Sequence, residues 1–324
     1  MFKNTIKSIA FLSLTTTFLN ASTFVLYNNY LNMSFMNAKN SMMANSTTAT
    51  AKGYSAMLSN PAGLSTNYNA SIYIRSIFVS KKDSDSTELP EINPKDHISL
   101  GALYDSFGVE AKENDYIIGA GAYGLETKYG LFSLGISYLA DLTDLTLKED
   151  TPVQSEEFAT GSHLTYGFMW QKSFIDADDF YAVYLGLSHK NSGKYEGENT
   201  ANITPVSPSR TSYGLGLETN IFDTSLLVTV DMSEEYWQSL NETLSGVSYG
   251  VKWMINQKFA IAAGMNNQTF TGSTLKDIQN IGLGVEFGFL GFQTNTAFTQ
   301  RVVNDFTSVY LTEMALHLDV AFTF

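Results

Sequence analysis

VYLTEMALHLDVAFTF, residues 309–324, alternates without a break. Tyr310, Thr312, Met314, Leu316, Leu318, Val320, Phe322 and Phe324 fall on one parity; Leu311, Glu313, Ala315, His317, Asp319, Ala321 and Thr323 fall on the other. A period of two held this long marks a strand with one apolar face and one more polar face. It also exceeds the ~5–6 residues of a typical strand in a soluble domain. The stretch ends on an aromatic residue, with a second aromatic two positions earlier.

The pattern recurs upstream. Phe132, Leu134, Ile136 and Tyr138 oppose Ser133, Gly135 and Ser137; Tyr181, Val183, Leu185 and Leu187 oppose Ala182, Tyr184, Gly186 and Ser188. Tyr213, Leu215 and Leu217 oppose Gly214, Gly216 and Glu218, and Ile281, Leu283, Val285, Phe287 and Phe289 oppose Gly282, Gly284, Glu286 and Gly288. Glycine covers a water-exposed sheet face poorly and weakens a strand. Small residues there fit a crowded interior better, with the large apolar face turned to lipid. A bilayer admits only helices or closed barrels as spanning structures. No stretch beyond residue 21 approaches the ~18 apolar residues of a helical span. The fold expected is therefore all-β, a transmembrane antiparallel β-barrel.

Reading the alternation along the chain places strands near 69–80, 97–105, 115–126, 130–141, 156–172, 180–190, 209–221, 225–234, 244–255, 259–268, 278–288, 291–303 and 308–324. That makes an odd number, thirteen, whereas single-chain bacterial barrels carry an even one. One element near residues 81–115 is therefore missing from the reading, so the expected count is about 14, with 12 as the alternative. The connections at 81–96, 142–155 and 191–209 are long and polar, and those near 127–129, 222–224, 256–258 and 289–290 are tight. Long external loops and short periplasmic turns produce this asymmetry.

The first residues read as an export signal, expected to be cleaved: Lys3 and Lys7 are followed by an apolar run from Ile9 to Leu19, and Ala21 is a small residue suited to cleavage. The chain carries 32 acidic against 19 basic residues, a net charge of −13, which argues against a nucleic-acid partner. It has no cysteine, so no disulfide or thiolate metal site contributes. Residues 22–68 lack sustained alternation but are too rich in Ala and Met, and too poor in charge, for a disordered tail. They suit a hatch or plug packed inside the barrel of residues 69–324. Within them SAMLSNPAGLS (55–65) combines the turn residues Asn60, Pro61, Ala62 and Gly63 with the apolar flanks Ala56, Met57, Leu58 and Leu64.

Sites of chemistry are sparse. Gly119, Gly121 and Gly124 match a G-x-G-x-x-G string, but an alternating strand follows where a nucleotide site needs a helix. His97, His163, His189 and His317 lack metal-ligand spacing; His317 shares its parity with Glu313 and Asp319 and reads most simply as a polar lumen residue. No catalytic residue, metal or cofactor is expected.

A run of small residues followed by AMLSNPAGL, and then a barrel ending in aromatics, resembles the FadL/TodX-type outer-membrane transporters of long-chain fatty acids and other hydrophobic compounds. The residues that carry the likeness are Ala51, Gly53, Ala56, Asn60, Pro61, Ala62, Gly63 and Leu64, with GLGVEFGFLGFQTNTAF at 282–298. The resemblance implies a fourteen-stranded barrel in the outer membrane of a Gram-negative bacterium, with the Asn-Pro-Ala-Gly motif in a lumenal plug. It implies outer-membrane lipid and a small hydrophobic ligand as partners. The C-terminal strand, through Leu318, Val320, Phe322 and Phe324, would then address the barrel-assembly machinery. Related PorV-like barrels assist secretion, so a non-enzymatic partner barrel of a secretion or surface-assembly system is the alternative. The chain is shorter than the well-known fatty-acid transporters, and Arg75, Arg210 and Arg301 are its only arginines.

Overall fold

The computed structural model describes residues 37–67, 69–83, 98–112, 116–141, 145–146, 157–159, 162–176, 179–192, 196–197, 208–221, 224–237, 242–271, 275–305 and 309–324. The expected signal peptide and residues 22–36 lie outside this set. The strands in chain order are β1 (Ser71–Asp83), β2 (Ile98–Tyr104), β3 (Phe107–Lys112), β4 (Tyr116–Thr127), β5 (Gly130–Asp141), β6 (Leu145–Thr146), β7 (Glu157–Ala159), β8 (Ser162–Asp176), β9 (Asp179–Lys190), β10 (Glu196–Gly197), β11 (Ser209–Ile221), β12 (Thr224–Trp237), β13 (Glu242–Asn256), β14 (Phe259–Phe270), β15 (Leu275–Phe289), β16 (Phe292–Asp305) and β17 (Val309–Thr323). Fourteen of them form one closed barrel in the order β1-β17-β16-β15-β14-β13-β12-β11-β9-β8-β5-β4-β3-β2, and β6, β7 and β10 form a separate small sheet. The barrel closes where β17 pairs β1, from Ser71 against Thr323 to Asp83 against Leu311. Closure leaves no sheet edge to satisfy in lipid.

The strand missing from that reading is β3. Its six residues, FGVEAK, do alternate, with Phe107, Val109 and Ala111 outward, but only the pair Asp105–Ser106 separates it from β2, so the two strands run together in the sequence. Asp105 adopts φ 51°, and the Leu290–Gly291 link between β15 and β16 has φ 47° and 83°. Positive φ at the first position of each link, and at both positions of Leu290–Gly291, is the backbone a tight hairpin needs to match strand twist. The strand expected at 156–172 divides instead into β7 and β8, which lie in different sheets.

The two parities separate as the sequence predicts. On β17, Glu313, Ala315, His317, Asp319 and Ala321 are buried while Met314 and Leu316 are exposed. Tyr213, Leu215, Leu217, Ile281, Leu283, Val285 and Phe287 likewise face outward. Outward aromatics gather at the short-turn end, among them Tyr104, Phe107, Tyr129, Trp253, Phe289 and Phe324, as expected of an interfacial girdle. One departure concerns β4: Gly119 and Gly121 lie on the same parity as the exposed Ile117 and Tyr123, so they face outward, while Gly124 meets Ser65 on the inside.

Residues 37–67 run through the lumen. They contain α1 (Ala38–Met42) and two 3-10 turns, Gly53–Met57 and Pro61–Thr66. Ala38, Met42, Ala49, Ala56, Ala62 and Leu64 have no exposed surface.

Candidate functional site

The lumen is built around a belt of inward glycines. Across the wall, Gly135 of β5 pairs Gly167 of β8, Gly186 of β9 pairs Gly214 of β11, Gly250 of β13 pairs Gly264 of β14, and Gly264 pairs Gly282 of β15. Each gives up its side chain to the inner segment, most of them to its backbone and Gly250 to the Met43 and Ser46 side chains. A Cβ on Gly135 would stand 2.3 Å from the Ala62 nitrogen, one on Gly186 2.2 Å from the Thr48 oxygen, and one on Gly264 2.2 Å from the Met43 carbonyl carbon. On Gly282 it would stand 1.9 Å from the Ser41 oxygen. Real side chains do not tolerate such approaches, so glycine is here a requirement of close packing.

Polar side chains then fix the segment along this track. Asp319 of β17 accepts the N–H of Ala38 at 2.7 Å and the Tyr54 hydroxyl at 3.1 Å, and Asn295 of β16 donates to that hydroxyl at 2.5 Å. Asp231 of β12 accepts the N–H of Thr48 at 2.7 Å. Ser46 and Thr229 hydroxyls meet at 2.8 Å, Ser65 donates to Ser133 at 2.6 Å, and Ser188 donates to the Ser59 carbonyl at 2.7 Å. His317 sets its ring nitrogens against Ser41 at 3.4 Å and Thr299 at 3.0 Å.

The structure places Asn60, Pro61, Ala62, Gly63 and Leu64 together, all buried, against β5 and β8. Asn60 does most of the bonding. Its amide nitrogen donates to the carbonyls of Thr48 (2.7 Å) and Phe168 (3.0 Å), while its oxygen caps the 3-10 turn by accepting from Ala62 at 3.2 Å. Pro61 occupies the first position of that turn, where a missing N–H costs nothing. What the sequence suggests as a plain reversal is thus a short helical turn clasped to the wall. At the other end of the chain, Leu318, Val320 and Phe322 follow the outward parity of β17, and Phe324 is exposed beside Phe322, ring centroids 5.9 Å apart.

Around this segment the lumen is two-sided. Ala51, Tyr54, Ala56, Met57 and Leu64 pack with Tyr73, Leu103, Tyr116, Ile118 and Leu139 into an apolar cluster behind β1–β5. Set into it are Arg75 and Glu110, ion-paired, with Tyr116 and Tyr73 hydroxyls donating to Glu110 at 2.6 and 2.7 Å. The β8–β17 side is richer in polar residues, including Ser212, Asp231, Ser233, Ser248, Asn266, Gln268 and Asn280, with two smaller apolar patches where Met42 and Met43 meet Ala262 and Ala297 and where Ala49 meets Ala182 and Tyr184. A cavity of about 650 Å³ opens at the short-turn end, lined by Lys252, Glu286, Gln293, Met254, Phe259 and Ser225 among others. Lys252 and Glu286 pair there at 2.7 Å. Sequence parity identifies these inward positions; it could not show which of them the inner segment touches.

The wall is uneven. β2 and β3 have seven and six residues, whereas β13, β15 and β17 have fifteen. β1 pairs β2 only from Ser71 to Ser76 and continues to Asp83 beside β17 alone, among the described residues. Seven residues at ~3.3 Å each, tilted ~45°, rise roughly 16 Å against an apolar band ~25 Å tall. Ile98, Leu100 and Tyr104 face outward along the described length of β2.

The molecule is an outer-membrane-type β-barrel whose lumen is crossed by an N-terminal segment. Its fold matches that of CymD, a monoaromatic hydrocarbon channel, at a TM-score of 0.56 with 10% identity, covering 89% of this chain and 97% of that one. The toluene transporter TodX of Pseudomonas putida gives 0.49 at 11% identity, over 89% and 97% of the two chains. A FadL homologue of Pseudomonas aeruginosa gives 0.43 at 9%, over 89% and 98%. At such identities the likeness is one of fold. No family model matches the chain, and no curated protein matches it.

Proposed function

We propose that this protein is an outer-membrane channel for the diffusion of small hydrophobic compounds, closed in the resting state by residues 37–67. The observation that carries the reading is the position of the apolar cluster. Tyr54, Met57 and Leu64 of the inner segment meet Leu103 of β2, Ile118 of β4 and Leu139 of β5, behind the part of the wall that includes the short described strands β2 and β3. A hydrophobic solute leaving the bilayer there meets apolar side chains rather than the more polar β8–β17 side, which lowers its desolvation cost. Movement of the inner segment then gives it access to the cavity at the short-turn end. The shared fold of the CymD hydrocarbon channel supports this reading.

The cysteine-free chain permits a direct test. Ser46 and Thr229 hydroxyls are 2.8 Å apart, so a Ser46→Cys/Thr229→Cys pair should bond the segment to β12. Uptake of radiolabelled toluene and oleate by cells is expected to fall in the oxidised pair and recover on reduction. Equal uptake by oxidised, reduced and protein-free cells would sink the channel reading. Co-purification with a large secretion complex would then favour a partner barrel.

A further inference from the structure

Arg75 of β1 stands between two carboxylates. It is ion-paired with Glu110 of β3, and its Nη2 also reaches the Tyr116 hydroxyl at 3.3 Å. Its direct cross-strand neighbour on the other side is Asp319 of β17. That aspartate holds the inner segment through Oδ2, which accepts Ala38 N–H and Tyr54 O–H. Both side chains are buried, at 1% and 0% exposure. Arg75 Nε and Nη1, and Asp319 Oδ1, make no hydrogen bond. Two donors and an acceptor thus lie unpartnered on directly paired residues of adjacent strands, an expensive arrangement for buried charges.

We propose that Arg75 is a two-position switch that couples the apolar cluster behind β1–β5 to release of the inner segment. Paired with Glu110, it leaves Asp319 free to hold Ala38 and Tyr54. Turned toward Asp319, its fork takes both carboxylate oxygens in a bidentate pair, so that Oδ2 is lost to Ala38 and Tyr54 and the inner segment loses its charged anchor on β17. The trigger lies in the apolar cluster. Tyr73 and Tyr116 belong to it, and their hydroxyls are the other two donors to Glu110. A solute pressing between those rings displaces the donors that steady Glu110 and loosens its hold on Arg75. The element is bistable in the sense switching requires, because one cation has two alternative partners that do not both engage it.

The switch rests on the reading that residues 37–67 close the lumen, and the experiment separates the two. Conductance in planar bilayers is measured for Glu110→Gln, Glu110→Gln/Arg75→Met and Glu110→Gln/Asp319→Asn, each also with the oxidised Ser46→Cys/Thr229→Cys bond. Folding is checked by heat-modifiable gel migration. Glu110→Gln frees Arg75 and is expected to raise open probability at least tenfold. Glu110→Gln/Arg75→Met returns it to the wild-type level, because it removes the moving cation, whereas Glu110→Gln/Asp319→Asn keeps the rise, because Asp319 is itself the anchor of the inner segment. The oxidised bond abolishes the rise. If Glu110→Gln does not fold, Glu110→Asp gives a smaller rise in the same direction. An unchanged open probability in a folded Glu110 variant overturns the switch, as does a rise that survives Arg75→Met. A rise that persists in the oxidised bond overturns the closing role of the segment itself.

Discussion

Gly63 lies so close to Ala51 that a Cβ at residue 63 would stand 2.0 Å from the Ala51 carbonyl oxygen and 3.0 Å from the Ala56 Cβ. The Asn-Pro-Ala-Gly turn is therefore locked against its own segment as well as against the wall. Gly63→Ala forces the turn away from Ala51 at a cost of about 1–3 kcal/mol. Because the change falls on the segment alone, the barrel should keep its heat-modifiable migration while residues 37–67 become more open to limited proteolysis. A variant as resistant as wild type would show that the turn yields without strain.

The two kinds of glycine should respond in opposite ways. Gly282→Ala puts its methyl 1.9 Å from the Ser41 oxygen, whereas a Cβ on the outward Gly119 meets nothing within 4 Å. Gly282→Ala is expected to raise conductance by displacing α1. Gly119→Ala leaves conductance unchanged and stabilises β4 by up to about 1 kcal/mol through lost chain entropy. Urea unfolding in vesicles and bilayer recording read the two effects separately.

Asp231 and Thr48 offer a graded test of the second anchor. Asp231→Asn keeps an oxygen for the Thr48 N–H but loses the charge, while Asp231→Leu leaves that buried donor unmet. Charge-assisted bonds contribute about 1.5–3 kcal/mol, and an orphaned buried group costs about 1–3 kcal/mol. Protease sensitivity of residues 37–67 should rank Leu above Asn above wild type, and any other order would mean Asp231 does not anchor the segment.

The outward face carries its own prediction. Leu283 lies mid-strand on β15 with 53% of its surface exposed. Leu283→Arg is expected to cost about 2–4 kcal/mol of stability in bilayers, the penalty for a cation near the midplane of a barrel. A change within error would place Leu283 outside the hydrocarbon.

Phe322 and Phe324 end the chain next to Phe292, with the Phe292–Phe322 ring centroids 4.7 Å apart. If the C-terminal strand addresses the assembly machinery, Phe324→Ala should slow insertion in cells several-fold. Unassisted folding of the purified chain into vesicles should change little. Equal slowing in both would assign Phe324 to packing alone.

Much of this molecule was legible from residue order. Period two is local: a strand places residues i and i+2 on one face wherever it sits, so Leu283 and Gly282 declare opposite surroundings without any partner in view. The glycines and serines of the inner parity announced that something else shares the lumen, and the missing strand was bracketed by parity of count. β3 alternates as FGVEAK, but it is short and follows β2 after only two residues, and it is the pairing with β2 and β4 that separates it as a strand of its own.

What only the tertiary structure decided are relations between distant residues. Asp319 and Ala38, Asn60 and Phe168, and Arg75 poised between Glu110 and Asp319 are set by closure of the barrel. No local pattern encodes which inward carboxylate meets which backbone N–H. The sequence by itself determined a lipid-facing barrel and an apolar turn unsuited to water. Closure determined where that turn rests, because only closure brings β1 beside β17 and turns the glycines of separate strands toward one enclosed segment.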